Sequence, residues 1–212
     1  MSMTTTNPVL TEVGRTQTTV LRLAEQALWV AFGITLLTVA AKVQIPLWPS
    51  PVPVTMGTFA VLGLAAAYGP RLGLVTILGY MIIGGLGFDI FANSSAERNG
   101  WSYMMGGTGG YLAGYVLATL ALGWLARRGW DRSVVWMALA MLVGNALIYL
   151  PGMAWLHVLV TGGLFNPAAF ATPAAQTLAW GITPFLIGDA LKLVLAALLL
   201  PALWKLVGNA RG

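Results

Sequence analysis

Asp189 and Lys192 stand three residues apart inside the apolar run PFLIGDALKLVLAALLLP. Ionised side chains in such a run are costly unless they face a cavity or a partner, which makes the pair a candidate functional site. On a helix this spacing puts both groups on one face, so they can pair while pointing inward. A carboxylate accepts two N–H bonds and an ammonium balances an acidic end. Together they suit a small molecule that carries an amide-like donor and an anionic group. The plainer alternative is a self-satisfied ion pair that only pins helix packing. Asn145 and Tyr149 lie one turn apart in another apolar run and are candidates to line the same cavity. The competing reading for them is an interhelical hydrogen bond worth about 1 kcal/mol.

Nothing else in the chain assembles into a reaction centre. The few acids are scattered, and no Ser/His/Asp order can be anchored. There is no cysteine and one histidine, which excludes thiolate chemistry and a His-based metal cluster within one chain. His157, at the outer end of the fifth apolar run, is read as a solvated histidine with no assigned role. The run MGGTGGYLAGY sets Gly106, Gly110 and Gly114 at period four, a strip on which another helix can approach closely. A phosphate loop would need a following Lys-Ser/Thr and a preceding strand, and both are missing. The chain is therefore expected to have no catalytic residue, no metal and no cofactor, and not to hydrolyse ATP by itself.

The elements that must position these residues follow from hydropathy. The chain has 212 residues, 58% hydrophobic and 8% charged, and its mean hydropathy is +0.81. These values belong to an all-α integral membrane protein in contact with the lipid bilayer. About 20 apolar residues cross the hydrocarbon core, and fewer suffice where protein covers the ends. That ruler gives six spans, near Ala24–Val43, Val54–Tyr68, Arg71–Leu86, Gly107–Ala126, Val134–Leu156 and Thr177–Leu206. Residues 1–23 are polar and Thr-rich and are read as a cytoplasmic tail without the apolar core of a signal peptide. Residues 24–212 form one six-helix domain. The connection QIPLWPSPVP holds four prolines and is a stiff loop.

Basic residues fall on one side of these spans. Arg15, Arg22, Arg71, Arg127, Arg128, Arg132, Lys205 and Arg211 share it, while Lys42 and Arg98 stand opposite. The positive-inside rule then makes both termini cytoplasmic. The basic residues are too scattered for a nucleic-acid surface. Trp29, Trp124, Trp130, Trp136, Trp155, Trp180 and Trp204 fall near span ends, where amphipathic rings favour the interface. Ala27 and Ala31, with Ala24 nearby, form a small-xxx-small patch on the first span that suits a docking helix or ordinary packing.

Four segments in order, PSPVPVTMGT (from Pro49), YGPRLG (Tyr68–Gly73), GGTGGYLAGY (Gly106–Tyr115) and PFLIGDALK (Pro184–Lys192), resemble the BioY family. That family comprises the biotin-specific substrate-binding (S) components of energy-coupling-factor (ECF) transporters. The resemblance runs from about Ala24 to Leu206. It implies a six-helix S-component fold in a bacterial inner membrane, with an outward-facing pocket closed by the first and third connections. It implies that Asp189 and Lys192 contact biotin and that Gly109 and Tyr111 start the fourth helix beside the ligand. It also implies partners, a transmembrane coupling subunit and two ATPases, with Ala27 and Ala31 as the docking patch.

Biotin has two ureido N–H donors, a ureido carbonyl, an apolar ring and a carboxylate, which fits a largely apolar pocket with a few placed polar groups. The chain departs from the family pattern at Gly107, Gly57 and Leu112, the last standing where some members carry an arginine. A polar contact from the third connection is expected instead from Asn93, Arg98 or Asn99. The alternatives are an S component for another small vitamin, or a membrane scaffold whose Asp–Lys pair is structural.

Overall fold

The computed structural model describes residues 7–14, 18–46, 50–95, 97–165 and 170–209. Arg15, Pro49 and Arg211 lie outside the described residues. The helices are α1 (Thr19–Lys42), α2 (Gly57–Gly85), α3 (Gly100–Met104), α4 (Gly109–Arg127), α5 (Val134–Thr161), α6 (Pro173–Gly181) and α7 (Leu186–Asn209). Two short strands, β1 (Gln44–Ile45) and β2 (Val54–Thr55), pair antiparallel across the proline-rich connection.

α2 contains the second and third spans. Gly69 has φ 72° and ψ −179°, a left-handed conformation open to glycine, and Pro70 follows it. The chain reverses there, because a Cβ on Gly73 would stand 3.8 Å from the Cα of Ala65, eight residues earlier. A straight helix would separate those residues by about 12 Å. The arms 57–68 and 70–85 therefore form a hairpin, and six membrane-crossing helices result, as the hydropathy predicts. The first arm is only about 18 Å long, which is tolerable because protein encloses it: Val61, Leu62, Ala65 and Ala66 are buried.

α4 lies between α2 and α5. Its glycines make this approach possible: a Cβ on Gly110 would meet Pro151 O at 2.4 Å, and one on Gly114 would meet Ile148 Cα at 2.7 Å. Gly123 does the same against Pro70 N at 2.4 Å. Gly106 is not part of this seam; it belongs to the turn that precedes α4.

Three departures from the sequence reading have physical causes. The last span is not one helix, since Pro184 lies in a 3-10 turn (Thr183–Phe185) that separates α6 from α7. α1 begins at Thr19, and residues 7–14 of the segment read as a tail pack back on the bundle. Val9 is fully buried beside Gly69, Thr11 donates to Ala67 O, and Glu12 takes a two-pronged ion pair from Arg127. Several tryptophans also serve the protein interior rather than an interfacial belt. Trp180 is buried against Phe165 and Phe170, Trp155 donates to Gly106 O at 2.9 Å, and Trp204 donates to Asp131.

Candidate ligand pocket

The first turn of α2, the C-terminal ends of α1 and of the second α2 arm, and the facing halves of α4, α5 and α7 enclose one polar-floored cavity. Asp189 and Lys192 are both buried there, with Lys192 Nζ 3.0 Å from Asp189 Oδ1. Thr58 completes the network. Its hydroxyl accepts from Lys192 at 3.0 Å and faces Asp189 Oδ1 at 3.4 Å. Tyr149 donates to the other carboxylate oxygen, Oδ2. A buried charge pair with extra hydrogen bonds meets the condition under which such a pair is tolerated.

The walls are apolar and aromatic. Tyr80, Tyr103, Tyr111, Leu112, Tyr115, Ile148 and Phe185 line them, and among the lining residues Lys192 is the sole cation. Tyr111 is fixed from behind by donation to Gly181 O at 2.8 Å and by the absence of a side chain on Gly152. Leu112 presents a buried aliphatic group where the family resemblance raised an arginine.

The roof comes from the proline-rich connection, through Val52 and Pro53, and from residues 86–108, through Phe91 and Ala92. Phe91 is buried on Gly84, where any Cβ would fall 2.1 Å from its ring, and stacks on Tyr103 with centroids 4.8 Å apart. Lys42, the last residue of α1, ties this roof down by pairing with Asp89 at 2.6 Å and donating to Ser94 at 3.2 Å. The Lys42 bond, helped by Ser94, holds the Asp89 carboxyl below its ordinary range. Burial raises the Tyr103 hydroxyl above its ordinary range.

The pocket gathers Asp189, Lys192, Tyr111 and Tyr149 from the predicted set and leaves out the others. Asn145 is one turn deeper on α5 and does not line it. Gly109 packs under the Met104 carbonyl, which a Cβ would meet at 2.0 Å. Asn99 precedes α3 and its carbonyl accepts from Ser102 and Tyr103, whereas Arg98 and Asn93 are exposed on the outside of the roof. Asn93 takes a left-handed conformation, φ 54°, and its backbone N–H donates to Gln44 Oε1. His157 is exposed, with Nδ1 3.1 Å from the Thr177 hydroxyl. Thr58, Tyr80, Phe91, Tyr103 and Tyr115 were not singled out by sequence. Thr58 and Tyr115 close two of the segments that carry the family resemblance, and Tyr115 also stands at i+4 from Tyr111.

At the opposite end of the bundle lie Arg22, Arg71, Arg127, Arg128, Arg132 and Lys205. Ala27 and Ala31 are exposed beside a shallow apolar groove between α1 and the second α2 arm.

A six-helix membrane bundle with an aromatic-walled pocket over a buried Asp–Lys pair defines a small-molecule-binding membrane protein. The BioY family model matches residues 10–209, and the chain belongs to the BioY family. The biotin transporter BioY of Thermotoga maritima is 32% identical over 171 residues, covering 81% of this chain and 90% of that protein. A relative from Pyrococcus horikoshii is 32% identical over 176 residues, covering 83% and 94%. The fold is that of a crystallised S-component for biotin from an ECF-type ABC transporter, with TM-score 0.69, 17% identity, and coverage of 90% of this chain and 95% of that one.

Proposed function

We propose that this chain is a high-affinity biotin-binding subunit for vitamin uptake, capturing biotin in an outward-facing pocket and moving it with an ECF energy-coupling module. It is a transport protein and not an enzyme. The observation that carries the reading is the buried Asp189–Lys192 pair, held by Thr58 and Tyr149 inside aromatic walls, in a chain whose relative from Thermotoga maritima is a biotin transporter.

Asp189 accepts from the ureido N–H groups, and Lys192 donates to a ligand oxygen. The apolar ring of biotin lies among the tyrosines and Leu112. The membrane is the bacterial inner membrane, with the arginine-rich end and both termini in the cytoplasm and the roof outside. The module consists of a transmembrane coupling subunit and two ATPases, and the exposed Ala27 and Ala31 take the coupling subunit, because small residues let a helix approach closely.

The test is a thermal shift of detergent-purified protein. Biotin at a hundredfold excess over Kd adds about 2.7 kcal/mol to the folded state and raises the melting temperature. No shift with biotin, together with one from riboflavin or thiamin, would overturn the specificity.

A further inference from the structure

At the arginine-rich end, α1 and the second α2 arm part to leave a groove with a polar half and an apolar half. Arg22, Gln26, Tyr68, Arg71, Arg127 and Glu12 contribute to the polar half. Ala27, Val30 and Ala31 contribute to the apolar half, and Leu23, Leu72 and Val75 border both, so the two are continuous. Because Ala27 and Ala31 are also the patch proposed for the coupling subunit, the groove is open to another occupant in the subunit free of its module. Arg127 is engaged by Glu12. Arg22 and Arg71 are exposed, and among the described residues neither is in an ion pair. Glu25, three residues from Arg22, has its own interaction and does not line the groove. Among the described residues three guanidiniums thus face one carboxylate, and the excess positive charge sits at the mouth of an apolar channel.

We propose that this groove binds an anionic phospholipid from the leaflet at the arginine-rich end, with the headgroup phosphate between Arg22 and Arg71 and an acyl chain along Leu23, Val30 and Val75. Guanidinium forks match phosphate oxygens, and basic pockets between membrane helices select anionic headgroups. The direction fits as well. From Arg22 to Ala31 the helix rises about 13 Å, away from the charged end and toward the bilayer centre, which is the course an acyl chain takes. A soluble anion would have no use for the apolar half. A zwitterionic lipid offers the same phosphate but brings its own cation to two guanidiniums, so a headgroup of net negative charge is favoured. The inference does not rest on biotin being the ligand.

Full-length protein in neutral detergent would be titrated with phosphatidylglycerol, phosphatidylcholine or inorganic phosphate, and retained ligand counted by native mass spectrometry. Phosphatidylglycerol should be retained at least about fivefold better than phosphatidylcholine. Arg22→Gln with Arg71→Gln should abolish that preference. Arg128→Gln with Lys205→Gln, which removes the same charge at the same end but outside the groove, should keep it. Val75→Trp, which fills the apolar half and leaves both arginines, should also lower retention. Equal retention of the two lipids, an undiminished preference in the double variant, or unaltered retention in Val75→Trp would overturn the proposal. Inorganic phosphate that displaces the lipid would make the site one for soluble anions and overturn it too.

Discussion

Tyr149 on α5 donates its hydroxyl proton to the carboxylate of Asp189 on α7, a residue 40 positions further along the chain. With Thr58 joining Asp189 to Lys192 from α2, three helices meet on one carboxylate. The pair is thus a junction of the fold as well as the floor of the pocket, and variants must separate those roles.

Asp189→Asn replaces a charged acceptor by an amide and leaves Lys192 buried without its counter-ion. Biotin affinity should fall by about 2–4 kcal/mol, roughly thirty- to several-hundred-fold in Kd by titration calorimetry. Lys192→Met should weaken binding as well. Tyr149→Phe removes one hydrogen bond and keeps the ring, so its loss should be nearer about 1 kcal/mol. Unchanged affinity in the two charge variants, with melting intact, would make the pair structural.

Six crossings and the Asp189–Lys192 pair were legible because hydropathy and buried charge are local properties of sequence. The hairpin at Gly69–Pro70 was legible for the same reason, as glycine and proline punctuate the chain. The role of Thr58 was not, because a threonine at a helix start, even one closing a family segment, shows no polar partner until the fold brings it to α7. Asn145 misled because one turn of helix separates a pocket-facing position from one that packs deeper. Arg98 and Asn99 misled because loop residues take their direction from anchors such as Phe91 on Gly84, which composition does not reveal. The docking of Val9–Glu12 depended on Arg127, more than a hundred residues away.

The Lys42–Asp89 tether predicts an acid-sensitive roof. Asp89 is held below its ordinary range by Lys42 first and Ser94 second. Its contribution is therefore present above the unfolded carboxylate value and is lost as pH falls through the lowered folded value. Biotin dissociation, followed by chase with unlabelled ligand, should be flat near neutrality and accelerate below about pH 4. Asp89→Asn should release biotin faster at neutral pH and lack that acid increment. Matching rates and profiles in the two proteins would show that the tether does not hold the roof.

The α4–α5 seam gives a stability prediction away from the ligand. At Gly114 any Cβ falls 2.7 Å from backbone atoms of Ile148, which have no flexible end to yield. Gly114→Val should cost about 1–3 kcal/mol or more and lower the melting temperature without biotin as well as with it. Gly63, whose Cβ would meet nothing within 4 Å, is the control, and Gly63→Ala should not lower melting, since alanine is the better helix former. A drop at Gly63 equal to that at Gly114 would show that close packing at Gly114 is not the cause.

Docking of the coupling subunit is the remaining prediction. α1 is the least enclosed of the long helices: 17% of its most apolar stretch is buried, against 56% for α4. Ala27 and Ala31 stand on its open face, so a tryptophan at either position adds volume toward a partner helix and not into the chain's own core. The pocket lies at the other end of the bundle. Ala27→Trp and Ala31→Trp should therefore bind biotin with normal affinity, while co-purification with the coupling subunit and cellular uptake both fall. Normal co-purification and uptake in both variants would remove the patch from the interface. Lost biotin affinity would place it instead in the packing of the chain itself.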